Sequence, residues 1–153
     1  KHKELTIIPF ATDELIVAMN PSHPLAGKEN ISIEELRNLE FIAFEKDIPT
    51  RKATDEILRK AEVQISIVME FDNVETVKRA LEINAGVAII PKNTVTNEAE
   101  RKQLVTCRLD SGKHIRPLSL IHKKARMLTP ALRSFIDKMK LPPEDSNVNA
   151  LVN

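Results

Sequence analysis

Apolar runs of strand length alternating with helical stripes predict an α/β fold in which helices cover a mostly parallel sheet. Three observations lead there. Residues 14–19, 41–44 and 87–90 are near-continuous apolar runs, the pattern of strands covered on both faces. Ala53, Ile57 and Ala61, and then Val74, Val77 and Leu81, recur at helical spacing. Pro, Asn, Asp and Gly punctuate the junctions, as at Asn20-Pro21, Pro49, Asp72-Asn73 and Gly86.

Residues 5–10 form a short apolar run containing Pro9, and 14–19 a second strand closed by Asn20-Pro21. Ser32 and Glu35 have capping-box spacing for a short helix, with Ile31 and Leu36 placed as a hydrophobic staple. Residues 41–44 are a buried strand and 45–49 a loop. Thr50 is expected to N-cap the helix carrying Ala53, Ile57 and Ala61. Residues 65–71 form the next strand. Asp72 or Asn73 caps a helix that Gly86 is expected to end in a left-handed conformation. The strand 87–90 stops at Pro91, and a weaker helix over 93–102 precedes strands over 103–109 and 117–122. Thr129 and Pro130 suit the cap and first position of a last helix, whose expected buried stripe is Leu132, Phe135, Ile136 and Met139.

With 153 residues and 42% apolar composition, the chain is about one domain long and suits a globular core. No apolar run reaches the roughly 18 residues of a membrane span, so no membrane partner is expected. Lys1-His2-Lys3-Glu4 opens no export signal, and a cytoplasmic location is expected. The 23 basic and 22 acidic residues are dispersed, giving a formal charge of +1 and no basic stripe for nucleic acid. The densest cluster, Lys123-Lys124-Ala125-Arg126, suits a solvated loop. Cys107 alone forms no internal disulfide and has no metal-ligand spacing, so it fits a small core residue in a reducing compartment. His2, His114 and His122 have no Ser, Cys or carboxylate partner at motif spacing, and His23 sits in the 21–24 turn. Neither a metal, a cofactor nor a catalytic pair is expected, and the chain is not expected to be an enzyme.

Several segments, in order, resemble the effector-binding domain of LysR-type transcriptional regulators. Asp13-Glu14-Leu15-Ile16-Val17 with Pro21-Ser22-His23-Pro24-Leu25 is similar to the strand and loop leading into that domain's second lobe. Ile31-Ser32-Ile33-Glu34-Glu35-Leu36 and then Phe41-Ile42 match the next helix and strand, and Thr50-Arg51 the Thr-Arg that opens a helix. The most specific match runs from Glu70-Phe71-Asp72-Asn73-Val74-Glu75-Thr76-Val77 to Ala85-Gly86-Val87-Ala88-Ile89-Ile90-Pro91. Leu128-Thr129-Pro130-Ala131 with Phe135-Ile136 resembles the closing helix.

The resemblance implies a type 2 periplasmic-binding-protein-like fold with a complete second lobe and a partial first lobe. Residues 1–12 would belong to the first lobe, 13–122 to the second with a crossover strand at each end, 123–141 to a closing helix of the first lobe, and 142–153 to a tail. The rest of the first lobe and a DNA-binding winged helix-turn-helix would lie outside this chain. The chain would then be the effector-sensing part of a bacterial LysR-type regulator, binding a small metabolite between two lobes and reaching DNA only through the missing domain. Exposed apolar faces on 5–10 and on the last helix would favour a homo-oligomer. The alternative is an exported solute-binding protein of the same fold.

For the effector, Thr50 with Pro49 and Arg51 is the candidate contact. A helix N-terminus offers backbone N–H groups and partial positive charge to an anion. Asp72 and Asn73 are weaker candidates, since capping their own helix accounts for them.

Overall fold

The computed structural model describes residues 3–110 and 112–139, and the expected tail over 142–153 lies outside the described residues. Two compact units are present: Glu14–His114, and the described residues on either side of it.

The unit Glu14–His114 contains the inner part of β1 (Leu5–Met19), then β2 (Asn30–Ile31), β3 (Glu40–Phe44), α1 (Pro49–Lys60), β4 (Ser66–Phe71), α2 (Val74–Glu82), β5 (Val87–Pro91), α3 (Thr96–Glu100) and β6 (Val105–Leu109). Its strands order as β2-β6-β1-β5-β3-β4. β3 pairs parallel with β4 and β5, and β2 parallel with β6. β1 runs antiparallel to both its neighbours, with Leu15 opposite Pro91 and Val17 opposite Cys107. The sheet is therefore mixed, which corrects the expected mostly parallel arrangement. Strand direction depends on how the chain enters the sheet, and apolar runs carry no sign of it.

These registers have one functional consequence. The carboxyl ends of β3, β4, β5 and β6 all lie at one rim of the sheet, the rim at which β1 enters with Glu14 and Leu15. In open α/β sheets ligands bind outside such carboxyl ends.

The period-two alternation of strands divides the core into two clusters. Leu15, Val17, Met19, Phe41, Val87 and Ile89 pack on one face with Leu36, Ile57 and Leu58. Ile16, Ala18, Ile42, Ala88 and Ile90 pack on the other with Val77 and Leu81 of α2, as the stripe predicts. β4 is an exposed edge strand, with Ile67, Val68 and Met69 open to solvent.

The capping box forms: Glu35 N–H donates to Ser32 Oγ at 3.3 Å and Ser32 N–H to Glu35 Oε2 at 3.0 Å, around a single 3-10 turn, Glu34–Leu36. The weak helix expected over 93–102 is a 3-10 turn, Lys92–Thr94, followed by α3.

Three helices end on left-handed residues that are not glycine: Glu62, Asn84 and Lys102. After α2, Ala85 N–H donates to Ala80 O at 3.1 Å and Asn84 N–H to Leu81 O at 2.9 Å, the paired bonds of a Schellman motif. Asn84 thus takes the role expected of Gly86. Gly86 serves a different need, because a Cβ there would lie 2.4 Å from the Glu40 carbonyl oxygen. Only a glycine lets the start of β5 approach β3 this closely.

In the flanking unit, β7 (His114–Lys123) pairs with β1, and Lys124 N–H donates to Glu4 O at 2.8 Å. β1 is one 15-residue strand running through Pro9, where two separate runs were expected. α4 (Pro130–Met139) begins as expected, Leu132 N–H donating to Thr129 Oγ1 at 3.3 Å. Ile136 is buried, but Phe135 is 51% exposed, which corrects the expectation that both are core.

Candidate functional site

α1 follows β3 and α2 follows β4, so both helices begin at the carboxyl rim. Their first turns are built differently. At α2, Asn73 Oδ1 accepts from Thr76 N–H at 2.9 Å and from Thr76 Oγ1 at 2.9 Å, while Asn73 Nδ2 donates to Asp72 Oδ1 at 2.7 Å. Asn73 is thus the cap of its own helix, and Asp72 braces the Asn73 side chain.

At α1 the expected cap is corrected by two residues. Ile48 is the N-cap, at φ −69° and ψ 130°, and no side chain caps the helix. Pro49 takes the first helical position, for which its fixed φ is suited, and it holds Ile48 extended. Thr50 becomes the second helical residue and is only 4% exposed, whereas Pro49 is exposed. The ladder begins with Lys52 N–H donating to Ile48 O at 3.2 Å, so the helix itself supplies no acceptor for the amides ahead of Lys52.

Arg51 is buried at the base of this turn. Its Nε donates to Asp55 Oδ1 at 2.8 Å, and its Nη1 to Phe44 O at 2.7 Å and to Glu70 Oε1 at 2.5 Å. Burial works against its charge, but the hydrogen bonds it donates to Glu70 and Asp55 outweigh it and hold the guanidinium pKa above its usual value. Spacing could have suggested Asp55, four residues on in the same helix. Nothing in the sequence joined Glu70, on a neighbouring strand, to Arg51. Beneath Arg51 lies a recess lined by Phe41, Ala43, Phe44, Thr54, Ile65 and Ile89, in which the buried Thr54 hydroxyl has no hydrogen-bond partner.

Further along the rim, Glu14 lies 3.8 Å from Lys92 and 3.7 Å from Arg108, a charge group that sequence reading missed. Lys78 on α2 is buried and pairs with Glu75 at 2.8 Å and with Glu98 of α3 at 2.9 Å. Its hydrogen bond holds the Glu98 carboxyl below the usual range, with burial opposing. Cys107 is buried, donates to Lys28 O at 2.9 Å, and is pushed up in pKa by that burial, as suits an inert core thiol. His23 Nδ1 accepts from Leu25 N–H at 3.3 Å within its turn. Among the described residues no three His, Cys, Asp or Glu side chains converge as metal ligands, and no helix is long and apolar enough to cross a membrane.

Residues 1–140 match the family model described as the LysR substrate binding domain. The chain belongs to this family. It is 31% identical to probable RuBisCO transcriptional regulators of Cyanophora paradoxa and of Synechocystis, over 90% and 96% of its own length. It spans 43% of the length of each of these relatives, less than half. A solved structure of the Synechocystis CcmR regulatory domain in complex with 2-PG superposes with a TM-score of 0.81 at 25% identity, covering all of this chain and 70% of that one. The effector-binding domain of QuiR in complex with shikimate gives 0.79 at 20% identity, covering 90% and 64%, and supports the fold alone. The fold is thus that of LysR effector-binding domains, the type 2 periplasmic-binding-protein-like fold.

Proposed function

We propose that this chain is the effector-sensing part of a LysR-type transcriptional regulator, and that a small anionic metabolite is recognised by the Pro49–Thr50–Arg51 turn. The observation that carries the reading is α1 itself: a 12-residue helix at the carboxyl rim whose N-terminus no side chain caps. Its dipole and its first-turn amides favour an anion in the position a cap would take. Thr50 contributes its hydroxyl and amide, Pro49 shapes the turn, and Arg51 contributes its amide and its place in the helix. Catalysis has no part in this reading, and the relatives named above are regulators, which favours it over an exported solute-binding protein. DNA contact would belong to a segment outside this chain.

Titration calorimetry on the intact regulator, with 2-PG as probe, tests the site. Thr50→Val should weaken binding by about 1–3 kcal/mol through the lost hydroxyl. An unchanged affinity would leave Thr50 as a packing residue of α1. The regulator is also proposed to self-associate, since Ile7, Ile115, Ile121 and Phe135 of the flanking unit are exposed apolar side chains. A monodisperse monomer in light scattering would count against this.

A further inference from the structure

Arg51 has the unusual position of a cation in the first turn of a helix, where the dipole disfavours it. It is stabilised there by carboxylates from two different elements. Its own side chain is 7% exposed, while those of Asp55 and Glu70 are 52% and 40% exposed. The two acids are not equivalent. Asp55 stands four residues along the same helix, so it neutralises Arg51 without joining α1 to anything else. Glu70 stands on β4, and Arg51 Nη1 bridges it to the carbonyl of Phe44, the last residue of β3. Nearby, Glu45 N–H donates to Phe71 O at 2.9 Å and joins the carboxyl ends of β3 and β4. The first turn of α1 is therefore pinned to the sheet rim through one guanidinium.

We propose that Glu70 is the positioning residue of the effector site, acting through Arg51 to set the pose of the Ile48–Thr50 turn. The proposal rests on the reading of that turn as the effector contact. Glu70 touches no ligand. It holds the Arg51 side chain at the base of the turn, so that the hydroxyl and amides of the turn, and not the guanidinium, face the anion. A turn held in place before binding loses less freedom when the ligand arrives, which is how a residue remote from the ligand affects affinity.

The test compares Glu70→Ala, Glu70→Gln and Asp55→Asn in the intact regulator, with two readouts. Without ligand, amide hydrogen exchange at Lys52, Ala53 and Thr54 should speed up about tenfold in Glu70→Ala, while the α2 amides of Val77–Leu81 keep their wild-type rates. Asp55→Asn should change the α1 rates by less than about threefold, because it breaks no tie to the sheet. With 2-PG as probe, affinity should fall about tenfold in Glu70→Ala, the effect of losing one charge-assisted hydrogen bond that is partly exposed. Glu70→Gln keeps an acceptor for Arg51 and should recover part of that loss. Unchanged exchange in Glu70→Ala, or equal effects from Glu70 and Asp55, overturns the proposal. If Thr50→Val weakens binding and Glu70→Ala does not, the contact reading stands and the positioning role falls. If exchange behaves as expected but the wild-type protein binds neither 2-PG nor inorganic phosphate, the contact reading falls and takes the positioning role with it, leaving a clamp of the fold only.

Discussion

α1 and α2 start at the same rim of the same sheet, one strand apart, and meet the same problem: a helix N-terminus with amides that need acceptors. α2 solves it locally, with Asn73 on the amide and hydroxyl of Thr76. It is then anchored by Val77, Ala80 and Leu81 in the core. α1 begins on an apolar residue and a proline, and its first half buries Thr50, Arg51 and Thr54, whereas Lys78 is the polar side chain that α2 buries, beside Val77, Ala80 and Leu81. A helix that caps itself has little left to offer a ligand. A helix held by a buried arginine, with no side-chain cap at its N-terminus, is fixed in place, and under the proposed function its first turn is what the anion would meet.

The largest expected effect lies in the core under α2. Leu81 is fully buried, so Leu81→Ala should destabilise by about 2–5 kcal/mol in urea melts. A loss under about 1 kcal/mol would mean that α2 is not anchored by its stripe.

The two helix N-termini should respond differently to substitution. Asn73→Ala should cost about 1 kcal/mol of stability, in the range of lost N-caps, and leave affinity for 2-PG unchanged. The contrast with Thr50→Val is the point: one variant should move the melt, the other the binding isotherm. Weakened binding in Asn73→Ala would place the ligand at α2 as well, or instead.

The smallest expected effect concerns acid. Glu98 has its folded pKa lowered from 4.5, so the unfolded chain binds its proton more readily. Its contribution is present above the usual carboxylate value and is lost as pH falls through the lowered folded value. Glu98→Gln should therefore make stability less steeply dependent on pH below about 4.5. Urea melts between about pH 3 and 7 measure this, and identical slopes for variant and wild type would remove the Lys78–Glu98 tie as a contributor to acid sensitivity.

Much of the secondary structure was legible because its signals are local. The runs 41–44 and 87–90 are strands, the Ser32–Glu35 box closes, Asn73 caps α2, and Thr129 caps α4. Features that depend on a partner distant in sequence were not legible. Glu62, Asn84 and Lys102 adopt left-handed conformations because the chain must turn back onto the sheet there, although glycine was the residue to expect. Phe135 belongs to a helical stripe by spacing, yet a stripe is buried only as far as its neighbours reach.

The candidate site shows the same division. Sequence alone put a helix start at Thr50-Arg51 with Pro49 in the loop before it, two residues from the observed cap at Ile48, since helical spacing acts within a few residues. It also determined that Arg51 and Asp55 share a helix face, a consequence of 3.6 residues per turn. Only the tertiary structure decided that β1 runs against its neighbours and so gathers four carboxyl ends at one rim. It alone brought Glu70, 19 residues away, onto Arg51, because β-pairing joins residues by register and not by distance along the chain.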